Sequence, residues 1–204
     1  MTITWLGHAC FRVEEDGWSV VLDPYTDVRG YPPLSARADA VLCSHDHFDH
    51  NYRRGVTLPE TPRRAPFPID TLSTWHDEKQ GKLRGSNTIH ILRMRGGTVV
   101  HLGDLGHLLS AEQAAALRGC DVLLLPVGGT YTINATAARR VVEQIQPRIA
   151  VPMHYRREEL GFAELGTAEA FLALFPAERV HRLETNTFSP EEMEPGLVLP
   201  ARPV

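Results

Sequence analysis

Between residues 44 and 50 the chain reads SHDHFDH, three histidines and two aspartates in seven positions. Imidazoles and carboxylates make poor core material unless something pairs with them, so a fold that holds this string must give these groups a partner. The preceding "AVLC" has strand character, and the chain therefore reaches His45 extended. Strand side chains repeat every second residue, which sends His45 and His47 to one side and Asp46 to the other. A helix opening after Phe48 carries Asp49 and His50 on its first turn toward a second point nearby. That spacing suits two metal ions better than one. Imidazole nitrogen and carboxylate oxygen bind zinc at about 2.0–2.2 Å and suit manganese or iron nearly as well, and no thiolate is at hand. The bland alternative is a solvated histidine-rich loop that binds no ion.

Four ligands cannot complete two sites, so further His and Asp are expected where a rigid backbone can aim them. Three strand ends qualify: His76 after "TLSTW", Asp104 after "TVVHLG" and His154 after "RIAVPM". His90 and His101 compete with His76 by proximity, but both sit inside strand-like runs, where a packed or hydrogen-bonded imidazole is the simpler reading.

The rest of the chain sets the frame. Short β-type runs fill the first half, from "TITWL" to "TVVHLGD", broken by Gly, Pro, Asp and Asn. Helices follow at "SAEQAAALRG", opened by a Ser110 to Gln113 capping box, and at "NATAARRVVEQIQP", capped by Asn134 and stopped at Pro147. "DVLLLPV" and "RIAVPM" are apolar on consecutive positions, as strands covered on both faces are; "TAEAFLALF" is helical and "RVHRLE" extended. Strands first and β/α units later predict a layered α/β fold, a single domain over residues 1–204. "YTDVRGYPPLSAR" and "YRRGVTLPETPRRAPFP" are irregular, either plain surface loops or the rim of a pocket. The tail "SPEEMEPGLVLPARPV" is expected to lie extended on the surface or against a neighbouring copy, which leaves a homo-oligomer open.

Composition removes several functions. Lys and Arg number 21 against 25 Asp and Glu, a net charge of −4, without the basic excess of a nucleic-acid binder. No apolar run is long enough to insert stably in a membrane, and the amino terminus meets Arg12, Glu14 and Glu15 before a signal-peptide core can form. Cys10, Cys43 and Cys120 lack metal or disulfide spacing and lie in apolar surroundings, as buried thiols in a reducing cytoplasm do. The partner left is a small-molecule substrate.

The order H-x-H-x-D-H, then His, Asp and His at successive strand ends, resembles the metallo-β-lactamase superfamily of metal-dependent hydrolases. "WLGHACFRVEEDGWSVVLDP", "WHDEKQGKLRGSNT", "HLGDLGH", "PVGGTYT" and "PMHY" are similar to the branch of L-ascorbate-6-phosphate lactonase-like proteins, over roughly Trp5 to Tyr155. The resemblance implies a four-layer αββα sandwich, two mixed β-sheets with helices outside. It implies that His45, His47 and His76 hold one metal, Asp49, His50 and His154 the other, and that Asp104 bridges. It further implies two divalent ions, Zn2+ first with Mn2+ or Fe2+ as alternatives, and a bridging hydroxide that cleaves a small ester, lactone or phosphodiester, the substrate being phosphorylated in one version.

Structural zinc is closed by four protein ligands, whereas this split, carboxylate-bearing set leaves room for water and signals catalysis. Two cations about 3.5–4 Å apart bring the pKa of bound water from 15.7 to about 7, so no Ser-His-Asp arrangement is needed and no G-x-S-x-G is present. Asp49 and Asp104 then border the reacting atoms. Tyr155 and Tyr131 can each donate to the leaving group or oxyanion, or simply pack in the core. Asp23, in "VVLDP", matches the superfamily's early aspartate, expected to accept a ligand histidine's ring N–H, with a plain turn residue as the alternative. His8, in "LGHAC", lies on a turn between two strands and His107 follows Asp104 by three, so either could reach the pocket. Lys79, Lys82 and Arg84 surround the His76 turn, where they bind a substrate anion or form a solvated basic loop. Gly103 and Gly106 let backbone approach the metals. Two further functions fit part of the pattern: a mononuclear iron thiol dioxygenase, and a non-catalytic metal-binding module on the same fold.

Overall fold

Alternation in "TITWL" and "CFRVEE" gives strands with two unlike faces, and a computed structural model describing residues 1–203 builds its first sheet from them. In chain order the strands of the first half are β1 (Thr2–Gly7), β2 (Cys10–Glu15), β3 (Trp18–Leu22), β4 (Ala36–Arg37), β5 (Ala40–Leu42), β6 (Val56–Thr57), β7 (Ile69–Trp75), β8 (Ser86–Met94) and β9 (Gly97–His101). Then come α1 (Ala111–Leu117), β10 (Val122–Pro126), α2 (Ala135–Ile145), β11 (Ile149–Met153), α3 (Ala168–Leu172), β12 (Val180–Arg182), β13 (Thr187–Phe188) and β14 (Gly196–Leu199). One sheet has the order β13-β1-β2-β3-β5 and a second the order β12-β14-β11-β10-β9-β8-β7, with β4 and β6 as a separate pair. Both large sheets are mixed: β3 and β5 are parallel beside an antiparallel meander, and β9 to β12 and β14 are parallel beside the β7-β8-β9 meander.

The facing sides of the sheets share one apolar core, into which Phe11, Val13 and Leu22 point from the first sheet and Leu92, Leu123 and Val151 from the second. Helices α1, α2 and α3 add Leu117, Val141, Ile145 and Phe171 to the same cluster. Their starts follow the sequence. Ser110 and Gln113 close a full capping box on α1, and the Asn134 side chain accepts the Ala137 N–H at the start of α2.

The mixed α/β sandwich is as expected, with one difference of detail in its outermost layer. The outer face of the first sheet, where Cys10 and Val21 point, is covered by Tyr25, Val28, Leu34, Ala38 and Val56 from loops and the β4-β6 pair. Prolines at 24, 32 and 33 and at 59, 62, 66 and 68 keep the two flanking loops from forming regular helices, and the stretch between them is taken up by short strands and the 44–50 turn. The tail departs further from expectation. Instead of lying on the surface, β14 is fully buried between β11 and β12, parallel to both.

The stretch after Phe48 is not a helix either. The N–H groups of His50 and Asn51 both donate to the His47 carbonyl at 3.0 Å, closing one turn, and the Tyr52 N–H then turns away to the Pro24 carbonyl at 2.8 Å. The turn still carries Asp49 and His50. Because β7, β9 and β11 run in one direction, their carboxyl ends line a single edge of the second sheet. His76, Asp104 and His154 follow those ends, and the 44–50 stretch leaves β5 opposite them. Crevices at the carboxyl ends of strands are where open α/β sheets bind ligands.

Candidate metal centre

Seven side chains converge on that edge. His45 Nε2 lies 3.0 Å from His47 Nδ1, and the His45 and His76 ring centroids are 4.7 Å apart. Asp104 presents its two oxygens to different neighbours: Oδ1 is 3.2 Å from His50 Nε2, and Oδ2 is 3.2 Å from both His76 Nε2 and His154 Nε2. Asp49 Oδ2 is 3.6 Å from His50 Nε2 and 3.9 Å from His154 Nε2. The donor atoms of His45, His47 and His76 form one group, all within 4.8 Å of one another. Those of His8, Asp49, His50 and His154 form a second, and His45, His50 and Asp104 a third between them.

Sequence placed Asp23 behind the ligands, and the hydrogen bonds give its reach. Its Oδ2 accepts His50 Nδ1–H at 2.8 Å and the Ser44 hydroxyl at 2.6 Å, while Oδ1 accepts the Ser44 N–H at 2.7 Å. Since the one hydroxyl proton of Ser44 goes to the carboxylate, its oxygen can only accept from His45 Nδ1, 2.9 Å away. Both His45 and His50 are therefore held by their Nδ1–H groups, with Nε2 turned into the cluster. One carboxylate fixes two ligand tautomers.

Local backbone is bent to make this fit. His8, Asp23 and His154 all take left-handed conformations, at φ 51°, 46° and 50°. Non-glycine residues adopt these at a cost that persists where surrounding structure over-determines them, as at functional sites. A Cβ on Gly106 would strike the His76 carbonyl and the Asp77 N–H, and one on Gly103, at φ 56°, would strike Asn87 and Ser44. These two glycines let the Asp104 loop press against the His76 and Ser44 loops.

Charge in the cluster is arranged for cation binding. Burial, with the neighbouring His154, pushes His8 down to about 4, and burial with His50 pushes His45 down to about 3, so both rings are neutral at pH 7, as His45 must be to serve as a ligand. Burial and His76 lower His47 likewise. Burial alone would lift the Asp104 carboxyl, but His154 and His50 override it and hold it well below the usual range. Burial would lower His50, yet the carboxylates of Asp104 and Asp23 raise it well above the ordinary histidine value. Asp49 is also held low, its burial outweighed by His8 and His50. Ionised carboxylates packed against imidazoles, with His50 Nε2 and Asp104 Oδ1 buried and lacking a well-formed hydrogen bond, are the donor chemistry that divalent cations take.

The set opens into a cavity of about 420 Å³ whose floor includes His47, Asp49, His76, Asp104 and His154. Its walls bring in Arg84 and Tyr131, both expected near the pocket, and also Phe48, Phe162 and Glu164. Arg84 donates to the Thr130 carbonyl at 3.2 Å, and its guanidinium carbon is 5.8 Å from the Tyr131 ring centre. The Tyr131 hydroxyl donates to Glu164. His8 lies behind the floor, 3.2 Å from Asp49 Oδ2.

Two expected residues stand elsewhere. Tyr155 is buried with its ring stacked on Trp5 at 5.7 Å, away from the cavity lining, so the placement gives it the packing role that sequence left open. His107 accepts the Trp75 N–H at 3.2 Å and donates to the Leu108 carbonyl at 2.8 Å, which occupies both ring nitrogens and turns it toward a separate surface groove. His90 and His101 stay inside their strands as opposed partners, His101 bonded to the Ala9 carbonyl at 2.9 Å.

Other contributors were missed. Asp77 accepts backbone N–H groups of Lys79, Gly81, Leu83 and Arg84, folding the loop that delivers Arg84. Asn87 Oδ1 accepts the Asp104 N–H at 2.9 Å, while its amide donates to Thr74 and to the Leu102 carbonyl. An Asp directly after a candidate ligand and before a Gly-containing loop was a usable signal for Asp77; nothing in "GFAELG" singles out Phe162 or Glu164.

The sequence matches the family described as Beta-lactamase superfamily domain over residues 2–154, three quarters of the chain, and the protein belongs to that superfamily. It is 29% identical over 204 residues to a Carboxydothermus hydrogenoformans protein described as a UPF0173 metal-dependent hydrolase, covering 81% of this chain and 89% of that one. A Methanopyrus kandleri protein of the same description is 30% identical over 195 residues, covering 76% and 84%. Among solved structures, a candidate Zn-dependent hydrolase of the metallo-beta-lactamase superfamily from Thermotoga maritima superposes with a TM-score of 0.75 at 32% identity, over 97% of each chain. These descriptions name a superfamily and a class of chemistry, and no lactone or phosphodiester.

Proposed function

We propose that the protein is a metal-dependent hydrolase that uses two divalent cations to cleave a small ester, lactone or phosphodiester. Zinc is the first choice of metal, with manganese or iron(II) as alternatives. The observation that carries this reading is the posture of Asp104, whose two oxygens face different groups of imidazoles at 3.2 Å. A carboxylate so turned can serve two ions at once. His45, His47 and His76 would hold one, and Asp49, His50 and His154 the other. Bound there, such a pair would supply ionised water at neutral pH and Lewis-acid polarisation of the scissile group.

The chain's own residues do the remaining work. Asp23, directly and through Ser44, keeps His50 and His45 aimed. His8 steadies the Asp49 carboxylate from behind. Asp49 and Asp104, kept ionised by the imidazoles around them, would stand beside the reacting atoms as ligands that fix where the scissile group lies. Tyr131 is the phenol on the cavity wall, with Arg84 beside it, and would meet a leaving group once its hydroxyl turned from Glu164.

The relatives' description as metal-dependent hydrolases supports the reaction class. The matching motif segments support a lactonase-like branch, and the cavity's size supports a small-molecule substrate. Three unpaired thiols, two of them buried, favour a reducing cytoplasm. No helix among the described residues is long and apolar enough to cross a membrane. A single-iron dioxygenase needs three or four protein donors, fewer than the seven gathered here. In excess zinc or manganese the purified protein is expected to hydrolyse bis(p-nitrophenyl) phosphate or an activated lactone. Chelator and His47→Ala should each abolish this turnover; a fully active His47→Ala variant would discard the assignment.

A further inference from the structure

We propose that the cavity over the cation-binding set selects substrates whose non-reacting part is a compact apolar acyl or aryl group, in preference to polyanionic sugar-phosphate-like molecules. This rests on the hydrolytic reading of the same site. The walls are the reason. Phe48 and Phe162 meet edge to face with centroids 6.2 Å apart, and Phe162 and Tyr131 do the same at 6.4 Å, so three rings form a collar around the mouth. Phe48 is 55% exposed, although most large apolar side chains of this protein are buried. It sits between candidate ligand residues on the 44–50 turn, its ring set against Phe162, and the rest of its face is offered to whatever enters.

The charge on the walls argues the same way. A phosphomonoester dianion is held best by several convergent donors, commonly more than one cation. Apart from the two cations proposed at the floor, which any anionic reacting group would meet first, the wall's one Arg or Lys among the described residues is Arg84, already engaged with the Thr130 carbonyl and the Tyr131 ring. On the same Thr130–Tyr131 part of the wall stands a carboxylate, Glu164, tied to the Tyr131 hydroxyl. Lys79 and Lys82, the other basic residues of that loop, are outside the lining. A cavity of about 420 Å³ has room for a short acyl chain or one aromatic ring above the reacting group.

The test uses the full chain loaded with zinc and two readouts. In calorimetric titrations benzoate should bind about tenfold more tightly than acetate, following the apolar area the collar covers, and more tightly than glucose 6-phosphate. In turnover, kcat/KM should rise about tenfold from p-nitrophenyl acetate to p-nitrophenyl butyrate, two methylenes longer. Phe48→Ala, a change at an exposed position, should cut both preferences to about threefold or less, and Phe162→Leu, which keeps apolar bulk, should reduce the benzoate preference. Equal binding of acetate and benzoate, tighter binding of glucose 6-phosphate, or preferences unchanged in both variants would overturn the proposal. If benzoate is preferred but no ester or phosphodiester turns over, the hydrolytic reading falls and the cavity's selectivity stands. Turnover without acyl preference has the opposite meaning.

Discussion

Asp23 shows how much one buried carboxylate can decide. It holds the Nδ1 side of His50 itself and that of His45 through Ser44, and these two rings belong to different halves of the candidate centre. Asp23→Asn keeps the shape but turns one acceptor oxygen into a donor: with the amide nitrogen at the Oδ2 position both rings lose their fixed tautomer, and in the other flip it faces the Ser44 N–H. The expected outcome is a loss of about 10–100-fold in metal affinity, read by competition with a chromogenic chelator. An unchanged affinity would reduce Asp23 to a turn residue before Pro24. The cysteines make a second case. Burial, with the Asp23 charge, pushes Cys43 up to about 12, burial with Asp121 pushes Cys120 up to about 12, and burial drives Cys10 well above the ordinary thiol value. The thiolate is the reactive form, so native protein at pH 8 should resist alkylation by iodoacetamide while denatured protein takes up three labels, counted by mass spectrometry. Rapid native labelling of Cys10 or Cys120 would contradict their packing.

At the scale of elements, the strand ends were legible because an ionisable residue directly after an apolar run has few reasons to be there. His76, Asp104 and His154 stood out on that ground, as did the capped starts of α1 and α2. What was not legible came from pairings between distant segments. "GLVL" is four residues preceded by "EEMEP", a local context that suits a surface tail, and only its long-range pairing with β11 and β12 makes it an interior strand. Phe162 reaches the cavity in the same way, from a loop with no pattern of its own. The interior placement of β14 predicts that Leu197→Ala costs about 3 kcal/mol in urea unfolding, as large-to-small changes in a packed core do. A cost near zero would return the tail to the surface. Asn134→Ala, which removes the cap of α2, should cost about 1 kcal/mol in the same assay.

Over the whole molecule, two sheets with one shared core bring residues far apart in the chain to one edge, from His8 to Phe162. Clustering ionised carboxylates and buried imidazoles there works against folding unless cations bind the result. Metal should therefore stabilise the folded chain, since ligands that bind only the native state shift the unfolding equilibrium. Zinc-loaded protein is expected to melt several degrees above chelator-stripped protein, and Asp104→Asn should erase most of that difference; equal melting temperatures would separate the cluster from metal binding. The most direct test of the central claim is the metal content of zinc-loaded, desalted protein, measured by inductively coupled plasma mass spectrometry. Two ions per chain is the predicted result. One ion or none would contradict a paired centre bridged by Asp104.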